Sequence, residues 1–444
     1  MRVVKNNVIS NYLEYLILIF PISLTLGPTF IEIFSGLLII FFFIKVDKGF
    51  YQKNKFYINL FLIFYSYLVV RSLFFSNEFE KIRSILFYFR FLFFCCAVIY
   101  CLNKMNFTKK FNIKYIFFIF LLLILDSILQ YYYGRNILNI PLHNTFRASS
   151  FFGKELILGS FLFRMLPFIL IICILFKLDL KKNILKLSIF FSLYFFTVLI
   201  SGERTSFFLL LLTILLLIIL VKDFRKILLC GLIFFLFINL IFSFSNKNPY
   251  DRMLKQTFSQ MISQKVDSKV DLELDSKLKE NLGNLELNNK INSFSNNYVF
   301  SREHQGHYII ALRMFLDNPI FGQGPRSFRY LCSEDRFIKS DGICTTHPHN
   351  TYLQLLAETG LIGFLFVFAL FLFTLKQLVK KFFKNFKHQN RDNNYVQIKY
   401  ISLIAIFVSL FPLAPSGNFF NNWLSFLYYY PIAFYIYSIN KSKN

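Results

Sequence analysis

Charged side chains are scarce in this chain. They make up 16% of its 444 residues, whereas soluble globular proteins carry about 25%. Acidic residues are the scarcest, at 24 against 49 lysines and arginines, so the formal net charge is +25. So little charge in so apolar a chain excludes a string of soluble domains and a disordered chain. The low cysteine content, seven residues, excludes a disulfide-rich secreted scaffold.

Apolar and aromatic residues take the place of charge. Hydrophobic residues make up 56% of the chain, including 63 Phe and 25 Tyr. At this length, a mean hydropathy of +0.51 indicates that lipid is the solvent of most of the chain. The basic residues lie mainly in short segments between apolar runs, as membrane topology requires, so they do not indicate a nucleic-acid partner.

Twelve apolar runs are long enough to be membrane spans, because backbone in hydrocarbon must satisfy its own hydrogen bonds within a helix. They lie near residues 11–27, 29–44, 57–75, 83–102, 112–131, 156–176, 184–201, 205–221, 227–244, 359–375, 397–413 and 422–438. The predicted fold is an all-α polytopic membrane protein of about twelve transmembrane helices, with one large outside loop that contains short helices.

Lysines and arginines predict the orientation, because they accumulate in cytoplasmic loops. Basic loops alternate along the chain with loops that are nearly bare of lysine. The basic loops lie at residues 2–5, 45–55, 104–114, 177–186, 222–226, 376–399 and 441–443. Both termini are therefore predicted to be cytoplasmic. The N-terminus resembles a signal peptide but has no Ala-x-Ala site, so we interpret it as an uncleaved first helix.

One long hydrophilic segment, residues 245–356, is then predicted to lie outside. Its 14 basic and 12 acidic residues nearly cancel, so it is not a polybasic arm. It divides the chain into a bundle of about nine spans at 1–244, the loop, and a bundle of about three spans at 357–444. Within the loop, residues 267–297 have leucines at a spacing of about four, which predicts a weak amphipathic helix or an insertion of low order without a catalytic role.

A helix is predicted inside this loop, from the N-cap Ser301 to the stop at Pro319. The turn that follows contains Gly322 and Gly324, where glycine lets the backbone come close to a ligand or to another segment. Arg326 comes directly after this turn.

Two histidines stand at the end of the loop, in a segment from Thr345 to Asn350 that runs straight into a span. They are therefore predicted at the outer membrane boundary. Three interpretations remain open at this point. His347 and His349 could bind zinc together with His304 and His307, although structural zinc sites usually include cysteine. Alternatively, a histidine caps the helix, or a histidine acts as general base on a hydroxyl group.

Three arginines lie outside, close to the ends of predicted spans: Arg147, Arg204 and Arg302. Guanidinium groups gathered at the outer face are typical of bidentate diphosphate binding. Four other arginines lie within spans or at their ends, where we interpret them as snorkelling side chains or as partners of Glu14, Glu32 or Asp126. They are Arg71, Arg83, Arg90 and Arg164.

At these residues the chain resembles the O-antigen ligase and O-antigen polymerase superfamily of bacterial membrane glycosyltransferases. The segment from His347 to Gly363 matches the family signature His-Pro-His-Asn-x-Tyr-Leu…Glu-Thr-Gly-Leu-x-Gly at nearly every position. Weaker matches follow the family order, at Arg147 to Phe152, at Gly202 to Arg204, and at Arg302 with Asn318 to Gly324. The chain departs from the family pattern at Lys154-Glu155 and in the insertion at 265–297.

The resemblance implies transfer of a glycan from undecaprenyl diphosphate on the periplasmic face of the bacterial inner membrane, without a metal or other cofactor. Arg147, Arg204 and Arg302 would hold the diphosphate leaving group. His349 would take the proton of the acceptor hydroxyl as that oxygen attacks the anomeric carbon.

Further roles follow from the same resemblance. His347, Asn350 and Arg326 would orient the substrates, and Phe-rich spans would take the polyprenyl tail. The acceptor is either lipid A-core, which makes the protein a ligase, or a second lipid-linked glycan, which makes it a polymerase. We favour the ligase. A glycolipid transporter or flippase is the rival of another class, and the outside histidines argue against it because a translocator needs no general base.

Two of the seven cysteines lie in the outside loop, Cys332 and Cys344, twelve positions apart. Because the bacterial periplasm is oxidising, we predict that they form a disulfide. The alternative is a pair of free thiols, since spacing does not establish geometry. The other five lie in or beside spans, where they act as small apolar residues.

Overall fold

The computed structural model describes residues 17, 19–75, 79–105, 107, 110–143, 147–243, 249–250, 253, 302–338, 344–387 and 392–442. These residues are mainly helical and contain no strand, only two isolated bridges, Arg135 with Pro141 and His143 with Arg147. In chain order the helices are α1 (Pro28–Lys45), α2 (Lys48–Phe75), α3 (Phe79–Leu86), α4 (Arg90–Lys104), α5 (Lys110–Tyr133), α6 (Leu158–Leu175), α7 (Ile184–Ile200), α8 (Arg204–Leu220), α9 (Arg225–Ser243), α10 (Arg302–Asp317), α11 (Phe328–Leu331), α12 (Asp335–Ile338), α13 (Thr351–Lys387), α14 (Asn394–Ser409) and α15 (Asn422–Ser442). The all-α polytopic fold is thus confirmed.

Seven helices of the described chain are long and apolar enough to cross a membrane, and three more are apolar but shorter. These ten helices coincide with ten of the twelve predicted spans. The last predicted span, 422–438, corresponds to α15, which is not among the ten. The first, 11–27, lies largely outside the described residues, although residues 17 and 19–25 are helical. The predicted helix or insertion at 267–297 also lies outside them.

The main hydrophobic core lies between the long helices. It is rich in buried aromatic rings, and Phe94 and Tyr430 on α4 and α15 are typical members. Of the two interpretations given for the span arginines, pairing applies to Arg90, which contacts Glu32 at 3.0 Å. Arg71 is different: its guanidinium donates to the carbonyl oxygens of Phe321 and Gly322. This arginine therefore joins α2 to the predicted glycine turn.

A second, small core lies between α10, α11, α12 and the start of α13. It contains the buried side chains of Ile310, Ala311, Met314, Phe328, Cys332, Phe337 and Ala357. The predicted helix of the loop is observed as α10, which ends shortly before Pro319. This small core fixes a layer of short helices beside the end of α13.

Helix α13 is interrupted at Gly360, whose φ of 61° and ψ of −165° are not helical. The interruption frees the carbonyl oxygens of Ala357 and Glu358, which accept hydrogen bonds from the backbone of Gln323 and Gly324 at 2.9 and 2.8 Å. A Cβ atom at Gly360 would collide with the carbonyl of Ile320. Glycine is therefore required here so that the turn after α10 can close against α13.

Candidate active site

A cavity of about 1430 Å³, lined by both apolar and charged side chains, lies among the starts of α6 and α8 and the loops that lead into α13 and α15. It exceeds the roughly 300–1,000 Å³ of common small-molecule sites. Its charged and imidazole-bearing lining residues are Arg147, Arg164, Arg204, Arg329, Glu155, Glu203, His304, His347 and His349. Four arginines against two glutamates make the cavity basic, which favours an anionic ligand.

His349 is the centre of a group of four imidazoles. Its ring centroid lies 4.2 Å from that of His347, 5.2 Å from that of His304 and 5.4 Å from that of His307. His304 and His307 come from α10, about one helical turn apart, whereas the other two come from the loop before α13. The fold thus brings together two histidine pairs that are forty positions or more apart in the sequence.

The backbone holds His349 in an unusual conformation, with a φ of +54°. Its carbonyl oxygen accepts a hydrogen bond from the backbone N–H of Ser416 at 2.8 Å. Directly after it, the Asn350 side chain caps α13: its Oδ1 accepts from the N–H groups of Tyr352 and Leu353 at 2.9 and 3.1 Å. Asn350 Nδ2 also donates to the carbonyl of Pro412 at 2.9 Å. A strained residue that is fixed on both sides is common at functional sites.

The electrostatic environment keeps both cavity histidines of this loop neutral. Burial, followed by the charges of His347, His304 and His307, lowers the pKa of His349 to about 3. Burial, followed by His307 and Arg329, lowers the pKa of His347 to about 4. Both rings are therefore uncharged near pH 7 and can accept a proton.

Glu203 organises the wall of the cavity that carries Arg204. Its carboxylate accepts hydrogen bonds from the backbone N–H groups of Gly159 and Ser160 at 2.7 and 3.0 Å, and from the hydroxyl of Ser206 at 2.8 Å. Burial raises the pKa of Glu203, and these hydrogen bonds and Arg147 oppose that rise. The glutamate thus satisfies free N–H groups at the start of α6 and ties that start to α8.

Arg147 is positioned by the backbone around it. The Gln130 side chain accepts hydrogen bonds from the N–H groups of Ser149 and Ser150 at 2.9 and 2.7 Å. The N–H of Ala148 donates to the carbonyl of Ile200 at 3.1 Å. These contacts fasten the loop to α5 and to the end of α7, so that Arg147 and Arg204 line one cavity.

The glutamate of the family signature has a structural place. Glu358 is fully buried, and its carboxylate accepts hydrogen bonds from the N–H groups of Arg326 and Phe328 at 3.0 and 3.1 Å. It also accepts one from Gln354 Nε2 at 3.0 Å. Glu358 therefore fixes the turn that leads into α11.

Four predicted site residues line the cavity: Arg147, Arg204, His347 and His349. The structure does not place the other three there. Arg326, with a φ of +63°, is not among the lining residues, and its guanidinium donates to the Ser84 hydroxyl. Asn350 does not line the cavity either, since both ends of its amide are occupied by the backbone. Arg302 begins α10, but its side chain lies outside the described part of the structure.

A disulfide joins Cys332 to Cys344, with their Cα atoms 5.4 Å apart. Cys332 is buried in the small core, and Cys344 precedes His347 by three residues. The bond therefore links the end of α11 to the histidine loop.

The four histidines do not form a recognisable metal centre. Within the described residues, no group of three or more His, Cys, Asp or Glu has the arrangement of metal ligands. The predicted independence from metal remains a prediction.

Comparison with protein families gives one match. Residues 189–368 match the model of the O-antigen ligase family. This segment is therefore similar to O-antigen ligases. A search of curated proteins gave no match. The resemblance to the superfamily is thus confirmed on the part of the chain that contains Arg204, Arg302, His347 and His349, and Arg147 lies before it.

Two arginines of the cavity were not predicted as site residues. Arg164 lies on α6 and was interpreted as a snorkelling or paired side chain, but it lines the cavity and donates to the carbonyl of Ser160 at 3.0 Å. An arginine within a span is functional by default, and that signal favoured a site role. Arg329 lies on α11, a single turn of helix without periodicity, so the sequence had no signal that placed it.

Proposed function

We propose that this chain transfers a glycan from undecaprenyl diphosphate to an acceptor hydroxyl, as an O-antigen ligase that joins O-antigen to lipid A-core. The observation that carries the proposal is the shared cavity. Arg147, Arg204 and His349, which come from three distant parts of the sequence, line it together. A basic wall beside a neutral imidazole provides what this reaction requires: a site for the leaving diphosphate and an acceptor for the proton.

The reaction is a single displacement. The acceptor oxygen attacks the anomeric carbon, the bond from that carbon to the diphosphate oxygen breaks, and the configuration inverts. His349 takes the acceptor proton, and the leaving group departs as undecaprenyl diphosphate held by Arg147 and Arg204. Arg302 is a third candidate for this diphosphate site.

The low pKa of His349 is consistent with this role. A base must be unprotonated before the reaction, and a pKa of about 3 is consistent with this in the free enzyme. A bound diphosphate brings negative charge into the cavity, which favours the protonated imidazole and makes His349 more basic when the substrate is present. His347 is the neighbour that keeps the ring in place, and Asn350 acts indirectly by fixing the start of α13.

The proposed topology follows the basic loops of the sequence. Both termini are cytoplasmic, the spans of 1–244 and 357–444 cross the bacterial inner membrane, and the loop 245–356 is periplasmic. The disulfide between Cys332 and Cys344 supports this orientation, because disulfides persist in an oxidising compartment.

The test uses the purified full-length chain with an undecaprenyl-diphosphate-linked glycan and lipid A-core. We expect free undecaprenyl diphosphate and glycosylated core in equal amounts, and the same yield with EDTA present. Movement of the lipid between leaflets without release of diphosphate would support a flippase instead. Loss of activity in EDTA that zinc restores would make the histidines metal ligands.

The surface glycan of a deletion strain separates the two acceptors. A ligase defect leaves core without long chains while carrier-linked polymer accumulates. Core that carries a single repeat would instead identify a polymerase. That second result would contradict the ligase assignment but keep the transferase chemistry.

A further inference from the structure

We propose that Arg329 binds an anionic group, a phosphate or a carboxylate, on the acceptor glycan and thereby selects the acceptor. This inference rests on the proposed function, because it assumes that a glycan acceptor enters the cavity beside His349. It concerns a residue that lies within the matched segment and is not one of the three arginines assigned to the diphosphate.

Arg329 stands on a rigid support. The residue before it, Phe328, is fully buried and donates its N–H to the Glu358 carboxylate at 3.1 Å. Three residues after it, Cys332 is buried and joined to Cys344. A side chain with fixed backbone on both sides loses less conformational entropy on binding, so its interactions contribute more to affinity.

The guanidinium of Arg329 lacks a partner among the residues that the structure describes. No ion pair or hydrogen bond involves it there, and its Nε atom is buried without a hydrogen-bond partner. Arg336, one short helix later, is the opposite case, because it pairs with Glu334 at 2.7 Å and with Asp317 at 3.2 Å. A half-buried cation without a carboxylate is costly unless a ligand supplies the negative charge.

The position of Arg329 indicates which substrate it meets. Arg204 begins α8 and Arg147 lies in the loop between α5 and α6, close to the proposed outer membrane boundary where the diphosphate of a membrane lipid would be located. Arg329 belongs to the short helix α11 and lines the same cavity as His347, whose pKa its charge lowers. An anion bound by Arg329 therefore lies beside the histidines, where the acceptor hydroxyl must be deprotonated.

The experiment measures binding of deacylated core oligosaccharide to the full-length protein by calorimetry. Three forms are compared: the intact oligosaccharide, a form dephosphorylated with hydrogen fluoride, and a form whose carboxyl groups have been reduced. For the wild type, removal of one of the two anion types should weaken binding roughly tenfold to a hundredfold, the factor expected for one charged hydrogen bond. The form that binds weakly identifies the anion as phosphate or carboxylate.

Arg329→Gln should bind all three forms equally, at the affinity of the weak form. Arg329→Lys should keep part of the preference because it keeps the charge. The control Arg336→Gln should bind like the wild type, and size-exclusion profiles in detergent check that each variant is folded. In transfer assays, Arg329→Gln should raise the KM for core and leave the KM for the donor unchanged.

Two results would overturn this inference. One is a wild type that binds the three forms equally or not at all. The other is an Arg329→Gln variant that keeps the wild-type preference or alters only the KM for the donor. Because binding is measured without chemistry, these results are independent of whether transfer occurs, which tests the proposed function.

Discussion

The imidazole rings of His347 and His349 lie 4.2 Å apart, centre to centre, in the basic cavity that Arg147 and Arg204 also line. Two neutral rings at this distance cannot both become protonated without repulsion in a partly buried site. A second proton on the pair is therefore disfavoured, and the proposed reaction delivers only one. This relationship gives the site a measurable pH dependence.

The first prediction concerns kcat/KM, which reports the free enzyme. His349 must be unprotonated to act, and its pKa is lowered from 6.5 to about 3, so activity should be lost only as the pH falls through that low value. As the pH is lowered from about 8 to 5, kcat/KM should therefore not decrease. The acidic limb of kcat should lie at higher pH, since bound diphosphate raises the pKa. An acidic limb of kcat/KM centred near 6.5 would show an ordinary histidine instead.

Replacement of Arg204 by lysine tests bidentate recognition of the diphosphate. Lysine keeps the charge but loses the planar fork, so Arg204→Lys should reduce kcat/KM roughly tenfold to a hundredfold. The control is Arg135→Lys, since Arg135 is exposed and bonded to Asn139 at 2.9 Å. Full activity of Arg204→Lys in steady-state transfer assays would show that Arg204 contributes only its charge and not a bidentate contact.

The interruption of α13 can be tested by a pair of glycine substitutions. Gly360→Ala should destabilise the contact between the turn after α10 and α13, because φ is +61° and the added Cβ meets the Ile320 carbonyl. Gly36→Ala is the matched control, since it lies in α1 with open space around its Cβ position. Thermal melting and protease resistance of the loop should decrease for the first variant only. Equal behaviour of the two variants would contradict the assigned role of the interruption.

Thiol labelling tests the disulfide. In unreduced, denatured protein, five cysteines should react, and Cys332 and Cys344 should react only after reductant is added. A loop of this size should gain about 3 kcal/mol of stability from the bond on the chain-entropy model. The double variant Cys332→Ser/Cys344→Ser should therefore melt at lower temperature. Labelling of both residues before reduction would show that Pro348 and α13 alone position the histidines.

The sequence predicted the parts of this molecule that depend on local pattern. Hydropathy alone indicated most of the helices, because burial in lipid requires long apolar runs. The histidine motif and the positions of Arg147 and Arg204 predicted residues that prove to line one cavity. The features that the sequence could not predict depend on the direction in which a side chain points and on contacts between distant segments. To predict that Arg164 lines the cavity, one must know which face of α6 meets it.

Asn350 shows a different limit. Its position before a helix is a common N-cap signal, yet the family motif suggested contact with the substrate. The structure gives it the capping contacts, with both ends of the amide bonded to backbone. Arg326 is similar, because only the fold could reveal that its backbone N–H donates to Glu358 and its guanidinium to the Ser84 hydroxyl.

The most direct test of the central claim is the release of undecaprenyl diphosphate by purified His349→Ala. We expect the rate of release to fall by about 10²–10⁴-fold, the contribution of a general base. The variant should insert into the membrane and accumulate like the wild type. His388→Ala, in the predicted cytoplasmic loop 376–399, should retain full activity. Near-normal release by His349→Ala would contradict the account, because the proton of the acceptor would then have another destination.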